Sequence, residues 1–226
     1  MKKVLISLVL CCLSMVGMAQ KDVTKFMGIP VDGDKSEVIS KLKLKGFTPS
    51  PYNEDVLTGK FNGMEVYVAI STNHDKVCRI GVIDVHKTDG TDIRNRFNRL
   101  CQQFKNNPRY MSFADDDQTI KEDVDVAYEV HVNKKRFEAV FYQEPDTASV
   151  SNKEELGSLF LSKYTKEQLQ NPSDDIALDL LKMTIKQRFE IASKKSVWFM
   201  ISELYGEYYI SMYYDNVYNR ANGEDL

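Results

Sequence analysis

The sequence predicts an α+β protein, with antiparallel strands and helices packed on one face of the sheet. Three observations carry that prediction. First, Asn62-Gly63 sits between two alternating runs, and a tight hairpin needs positive φ at both central residues. Second, Met64, Val66, Val68 and Ile70 alternate with Glu65, Tyr67, Ala69 and Ser71, the period of a half-buried strand. Third, the order helix then strands occurs three times, beginning near Asp34, Asp92 and Asp174, although the three stretches are not alike in sequence.

Taken in order, Asp34 with Glu37 makes a capping-box pattern for a first helix reaching Lys45, with Val38, Ile39 and Leu42 as its apolar stripe. Gly46 supplies a stop, and Phe47 can fold back on the stripe. A three-stranded meander follows: Val56–Phe61, Met64–Ser71 and Val77–His86. Asp89-Gly90-Thr91 then breaks the chain and opens a helix over Asp92–Asn107. Its Ile93, Phe97, Leu100, Cys101 and Phe104 make one face suited to covering a sheet. Asp115-Asp116-Asp117 and Glu122-Asp123 mark an acidic loop. Val124–Val132 alternates Val124, Val126, Tyr128, Val130 and Val132 with Asp125, Ala127, Glu129 and His131, and reads as a strand. It pairs, on this reading, with a returning strand over Arg136–Tyr142.

Gln143–Ser151 has linker composition. Ser151 with Glu154 and Thr165 with Gln168 are two further capping patterns for short helices. Ser173 caps the longest helix, which runs to about Ser193 with Leu178, Leu181, Ile185, Phe189 and Ala192 down one side. A last hairpin pairs Val197–Leu204 with Tyr208–Tyr218 around Tyr205-Gly206-Glu207. The linker divides the chain into a signal segment 1–19, an α+β unit 20–145, and a helical segment with a terminal hairpin 146–226 packed on it.

Met1-Lys2-Lys3, the apolar run Val4–Val16 and Gly17-Met18-Ala19 form a secretory signal peptide cut after Ala19. Neither Cys11 nor Cys12 has the small preceding residue that acylation wants. Removing 19 of 226 residues leaves 207, with 28 basic and 33 acidic side chains, a net charge of −5. A mildly acidic exported chain without a Lys/Arg cluster is not built for nucleic acid. No later segment reads as a transmembrane helix. Two cysteines remain after export, Cys78 and Cys101. An oxidising compartment favours a disulfide between them, and two buried thiols are the alternative.

Phe26-Met27-Gly28-Ile29-Pro30-Val31-Asp32-Gly33, Leu42–Phe47 and Leu57–Gly63 resemble a group of uncharacterised exported proteins of Gram-negative gut bacteria. The ending from Tyr213-Tyr214-Asp215-Asn216 through Gly223-Glu224-Asp225-Leu226 is similar to endings in the same group. The helix–meander order also resembles the beta-lactamase-inhibitor-like and outer-membrane assembly lipoprotein folds. That likeness is one of architecture, implies no activity, and differs in that this chain lacks an acylated cysteine.

Chemistry is sparse. His74 reads as a turn residue, His86 and His131 as strand residues, and no metal-binding, nucleophile-elbow or phosphate-loop motif occurs. The Asp115–Asp117 run lacks the ligand spacing and glycine of a calcium loop and reads as a solvated charge run. The compositional anomaly is Tyr205, Tyr208, Tyr209, Tyr213, Tyr214 and Tyr218. Alternation sends Tyr208, Tyr214 and Tyr218 inward with Ile210 and Met212, and puts Tyr209 and Tyr213 on the other face as a candidate platform for a protein, peptide or glycan. The reading is a non-enzymatic exported binding or structural module with no cofactor, catalytic residue or metal. The alternatives are a hydrolase using carboxylates such as Asp84 and Glu129, or an enzyme inhibitor.

Overall fold

A computed structural model describes residues 21–53 and 55–221, so the signal segment 1–19 and the ending Gly223–Leu226 lie outside the described residues. The protein is α+β, with six helices among the described residues and one eight-stranded antiparallel sheet beside a two-stranded one. It divides into two compact units: Val23–Gln143 with the chain from Lys194 onward, and Glu144–Ser193 with the described residues up to Asp22.

In the larger unit, β1 (Lys25–Phe26) and β2 (Ile29–Pro30) form a small hairpin whose Met27 and Gly28 have φ of 49° and 83°. Helix α1 (Lys35–Leu44) follows; Asp34 makes no side-chain cap and instead bridges to Lys76. Gly46, at φ +93°, turns the chain so that the Phe47 N–H reaches the Leu42 carbonyl at 3.2 Å, as the stop signal requires. The Phe47 ring then lies on Gly59, where a Cβ would come within 2.5 Å of it; a side chain at Gly59 would displace the ring.

Strands β3 (Thr48–Pro49), β4 (Val56–Phe61), β5 (Met64–Asn73) and β6 (Lys76–Asp84) give the expected meander. Helix α2 (Gly90–Asn106) is capped by Asp89, whose carboxylate accepts from the N–H groups of Thr91 and Asp92, both at 2.9 Å. Its five apolar side chains are all buried. They rest mainly on β9 (Ser196–Leu204) and β10 (Glu207–Asp215) rather than on the meander, with Phe97 5.0 Å from Phe199 between ring centres. The final hairpin is inserted into the sheet, whose strand order is β3-β4-β5-β6-β10-β9-β8-β7. It therefore belongs with the first α+β unit, which corrects the boundary expected at 145/146.

The Val124–Val132 strand is a second correction. Val126–His131 is the short helix α3, with Asp125 accepting from the Tyr128 N–H at 3.0 Å. It packs beside α2, and β8 (Glu138–Gln143) pairs instead with β9 and with β7 (Tyr110–Met111). Alternation alone does not make a strand without a neighbouring edge to complete the ladder. Tyr128 and Val132 are consequently exposed, and Glu129 and His131 lie on a helix.

The smaller unit contains α4 (Val150–Leu161), α5 (Lys166–Gln170) and α6 (Asp174–Ser193). Ser149 caps α4, where Ser151 was expected to; Thr165 and Gln168 make the predicted capping box. Leu156, Phe160, Leu169 and Leu180 form the core, with Tyr164, Ile176 and Met183 against it. The row Leu178, Leu181, Ile185 and Phe189 is not in that core: these residues are 53%, 44%, 45% and 49% exposed.

Candidate functional site

The large sheet has unlike faces. Toward α1 and α2 it presents Val66, Val68, Ile80, Val82, Phe199, Ile210, Met212 and Tyr214, all in the core. Toward the other side alternation sends half-buried residues, and the strand register places a compact group among them. Asp215 lies opposite Arg79, Tyr213 opposite Gly81, and Trp198 opposite Tyr213. Because Gly81 has no side chain, the Tyr213 ring covers it; a Cβ there would sit 3.6 Å from two ring carbons.

These residues interlock. The indole of Trp198 stacks on Tyr213 with centres 4.4 Å apart and planes inclined by 29°. Arg79 donates to Asp215 from Nε at 2.5 Å and from Nη2 at 3.0 Å, while its guanidinium lies 5.1 Å from the Tyr213 ring centre and 5.6 Å from that of Trp198. The Trp198 Nε1–H donates to the same carboxylate at 3.0 Å. Arg136 covers the indole as well, at 5.4 Å. The Asp215 side chain is 3% exposed and that of Arg79 34%. The hydrogen bond to Asp215 raises the Arg79 pKa above its ordinary value, so the guanidinium stays charged at every working pH.

Of the two expected platform residues, Tyr213 is in this cluster and Tyr209 is four residues along the same strand, roughly 14 Å away. Between them Ser202 and Ser211 share a hydroxyl hydrogen bond at 2.8 Å. Tyr208 and Tyr214 are buried on the core face, but β10 ends at Asp215, so Tyr218 lies beyond it in a 3₁₀ turn. Arg79, Trp198 and Asp215 were not anticipated. The accessible signal was that the single tryptophan, with Met200 and Ser202, falls on the polar side of an alternating strand.

The remaining expectations fall elsewhere. Cys78 and Cys101 are free thiols, which corrects the expected disulfide. Cys78 is on β6 and donates to the Ser71 carbonyl; Cys101 donates to the carbonyl of Gln118, whose side chain holds Val140 of β8. Cys78 is half-buried in a strand and Cys101 is buried on α2, and each thiol is held by a carbonyl of a different segment. Burial pushes the Cys101 thiol up to about 12. Asp84 is paired with Arg96, at 2.5 and 2.7 Å, and Glu129 lies on α3 and not on a strand neighbouring Asp84. In the acidic loop Asp116 and Asp117 fold onto the N–H groups of Gln118 and Thr119; bonds from Thr119 hold the Asp117 carboxyl below its ordinary value. Among the described residues no three His, Cys, Asp or Glu side chains are grouped to hold a metal ion. His74 and His131 are exposed, and His86 pairs with Glu65 at 3.2 Å.

Compared with family models, curated proteins and solved structures, the chain finds no match.

Proposed function

We propose that this is an exported, non-enzymatic binding module of the periplasm or cell envelope, working through the Trp198–Tyr213–Arg79–Arg136 surface. The observation that supports the reading is an aromatic–arginine cluster on the sheet face opposite α1 and α2, outside the hydrophobic core. Tryptophan, tyrosine and arginine are the residues that dominate binding energy at protein interfaces, because each combines large contact area with a directed polar group. The partner is a protein or peptide segment. A sugar ring stacks on an open aromatic face, whereas here ring faces are spent on each other and on two guanidiniums. Export rests on the Met1–Ala19 pattern, and mapping the mature N-terminus tests it separately.

The binding reading is tested by capture from an envelope extract with the wild-type protein and with Arg136→Glu. Arg136 has a side chain 55% exposed, so its replacement leaves the fold intact. The expected result is a partner retained by wild type and lost by the variant. Equal capture by both, or no capture by either, would remove this surface from consideration.

A further inference from the structure

Helix α6 is apolar on two opposite sides. At 100° per residue, Ile176, Leu180, Met183 and Ile191 fall on one side, and they supply its buried and half-buried positions. Leu178, Leu181 and Ile185 fall on the other, 44% to 53% exposed, with Phe189 continuing the row at 49%. Three large aliphatic side chains aligned over about two turns, roughly 10 Å, form a contiguous apolar strip, and such strips mark interaction surfaces.

The charges beside the row identify its occupant. Asp175, Lys182 and Lys186 border it on the same side, the acid near the N-terminal end and the lysines toward the C-terminal end. In a parallel two-fold pair this flank lies across from the partner's opposite flank, which carries Arg188, so Lys186 faces a cation. An antiparallel pair sets the same flanks together with their ends exchanged, so that acid meets lysine. With a two-fold axis at Leu181, each Leu178 meets the partner's Ile185, the two Leu181 side chains meet each other, and each Asp175 meets the partner's Lys186. A membrane surface is a poorer match, because α6 carries four acidic side chains against three basic ones.

We infer that two copies of this chain associate antiparallel through α6, with Leu178, Leu181 and Ile185 as the apolar seam and Asp175–Lys186 pairs fixing the direction. The contact is isologous, as two-fold dimers require. A seam this short lies toward the small end of protein interfaces, so the dimer is in a concentration-dependent equilibrium with the monomer.

Sedimentation velocity of the purified protein from about 1 to 300 μM tests this. Wild type should shift from monomer to dimer across that range. Leu181→Glu, which sets two carboxylates together at the axis, should weaken association at least about tenfold. Its dilute thermal melt should match wild type, because the position is exposed. Asp175→Lys alone and Lys186→Asp alone should each weaken self-association by about five- to tenfold, and an equimolar mixture of the two should restore it. The mixture keeps the inference open to refutation even if Leu181→Glu folds poorly. A monomer at every concentration, a dimer indifferent to Leu181→Glu, or single charge variants that dimerise like wild type would each overturn it. So would a monomer that binds anionic vesicles through this row.

Discussion

Helices α2 and α6 look like the same device in sequence, each with an apolar row at helical spacing, yet they end in opposite environments. In α2 the row Ile93, Phe97, Leu100, Cys101 and Phe104 is buried against the sheet. In α6 the row Leu178, Leu181, Ile185 and Phe189 is exposed, and a second row containing Leu180 is the one that packs. The lesson is that periodicity identifies a face and not its partner. α2 has one apolar side, so its burial follows; α6 has two, and only contacts with α4 and α5 select between them.

The contrast can be broken first at its strongest point. Phe97→Ala should cost roughly 3–5 kcal/mol in urea denaturation, since it empties a site ringed by Phe199 and its neighbours. A midpoint unchanged from wild type would show that the α2 row is not core. Leu180→Ala should cost about 2–3 kcal/mol in the transition of the helical unit, the low end for leucine because that cluster is small. Within the candidate site, Tyr213→Ser should cost about 1–2 kcal/mol by losing the Trp198 stack and the Arg79 contact. Tyr209→Ser should stay within about 0.5 kcal/mol.

The buried side can also be addressed by pH. Burial raises the Tyr214 pKa well above its ordinary value of 10. The folded state therefore holds that proton more tightly than the unfolded one. The resulting stability is complete below about pH 10 and falls as pH rises further, by up to about 1.4 kcal/mol per pH unit for one tyrosine. Tyr214→Phe should flatten that alkaline decline in a series of chemical melts; an identical slope would mean the phenol is not the group responsible. The smallest effect is expected for Leu181→Ala, within about 0.5 kcal/mol in dilute solution, against the larger loss at adjacent Leu180.

Much of the fold was legible because local chemistry and tertiary structure agree. Asn62-Gly63 does turn at φ of 50° and 78°, and Asp89 and Thr165 do cap helices. What was not legible was long-range pairing. Nothing local says that β10 will lie beside β6, or that Val126–His131 finds no strand edge and coils into a helix. The candidate site was half visible for the same reason. Tyr213 stood out by composition, but Arg79, Trp198 and Asp215 become a cluster only once three strands lock in register.

That order of strands has a consequence in time. The central β10 follows the other seven strands of its sheet in the chain, and its Asp215 must find Arg79 from 136 residues away. Until it does, the sheet exists at most as two halves, β3-β4-β5-β6 and β9-β8-β7, each with a bare hydrogen-bonding edge. Closing so long a loop before any reward is slow, and a nascent chain or fragment ending before Glu207 keeps both edges open to other chains. Glu207–Asp215 is thus the keystone that joins two halves of the sheet laid down before it.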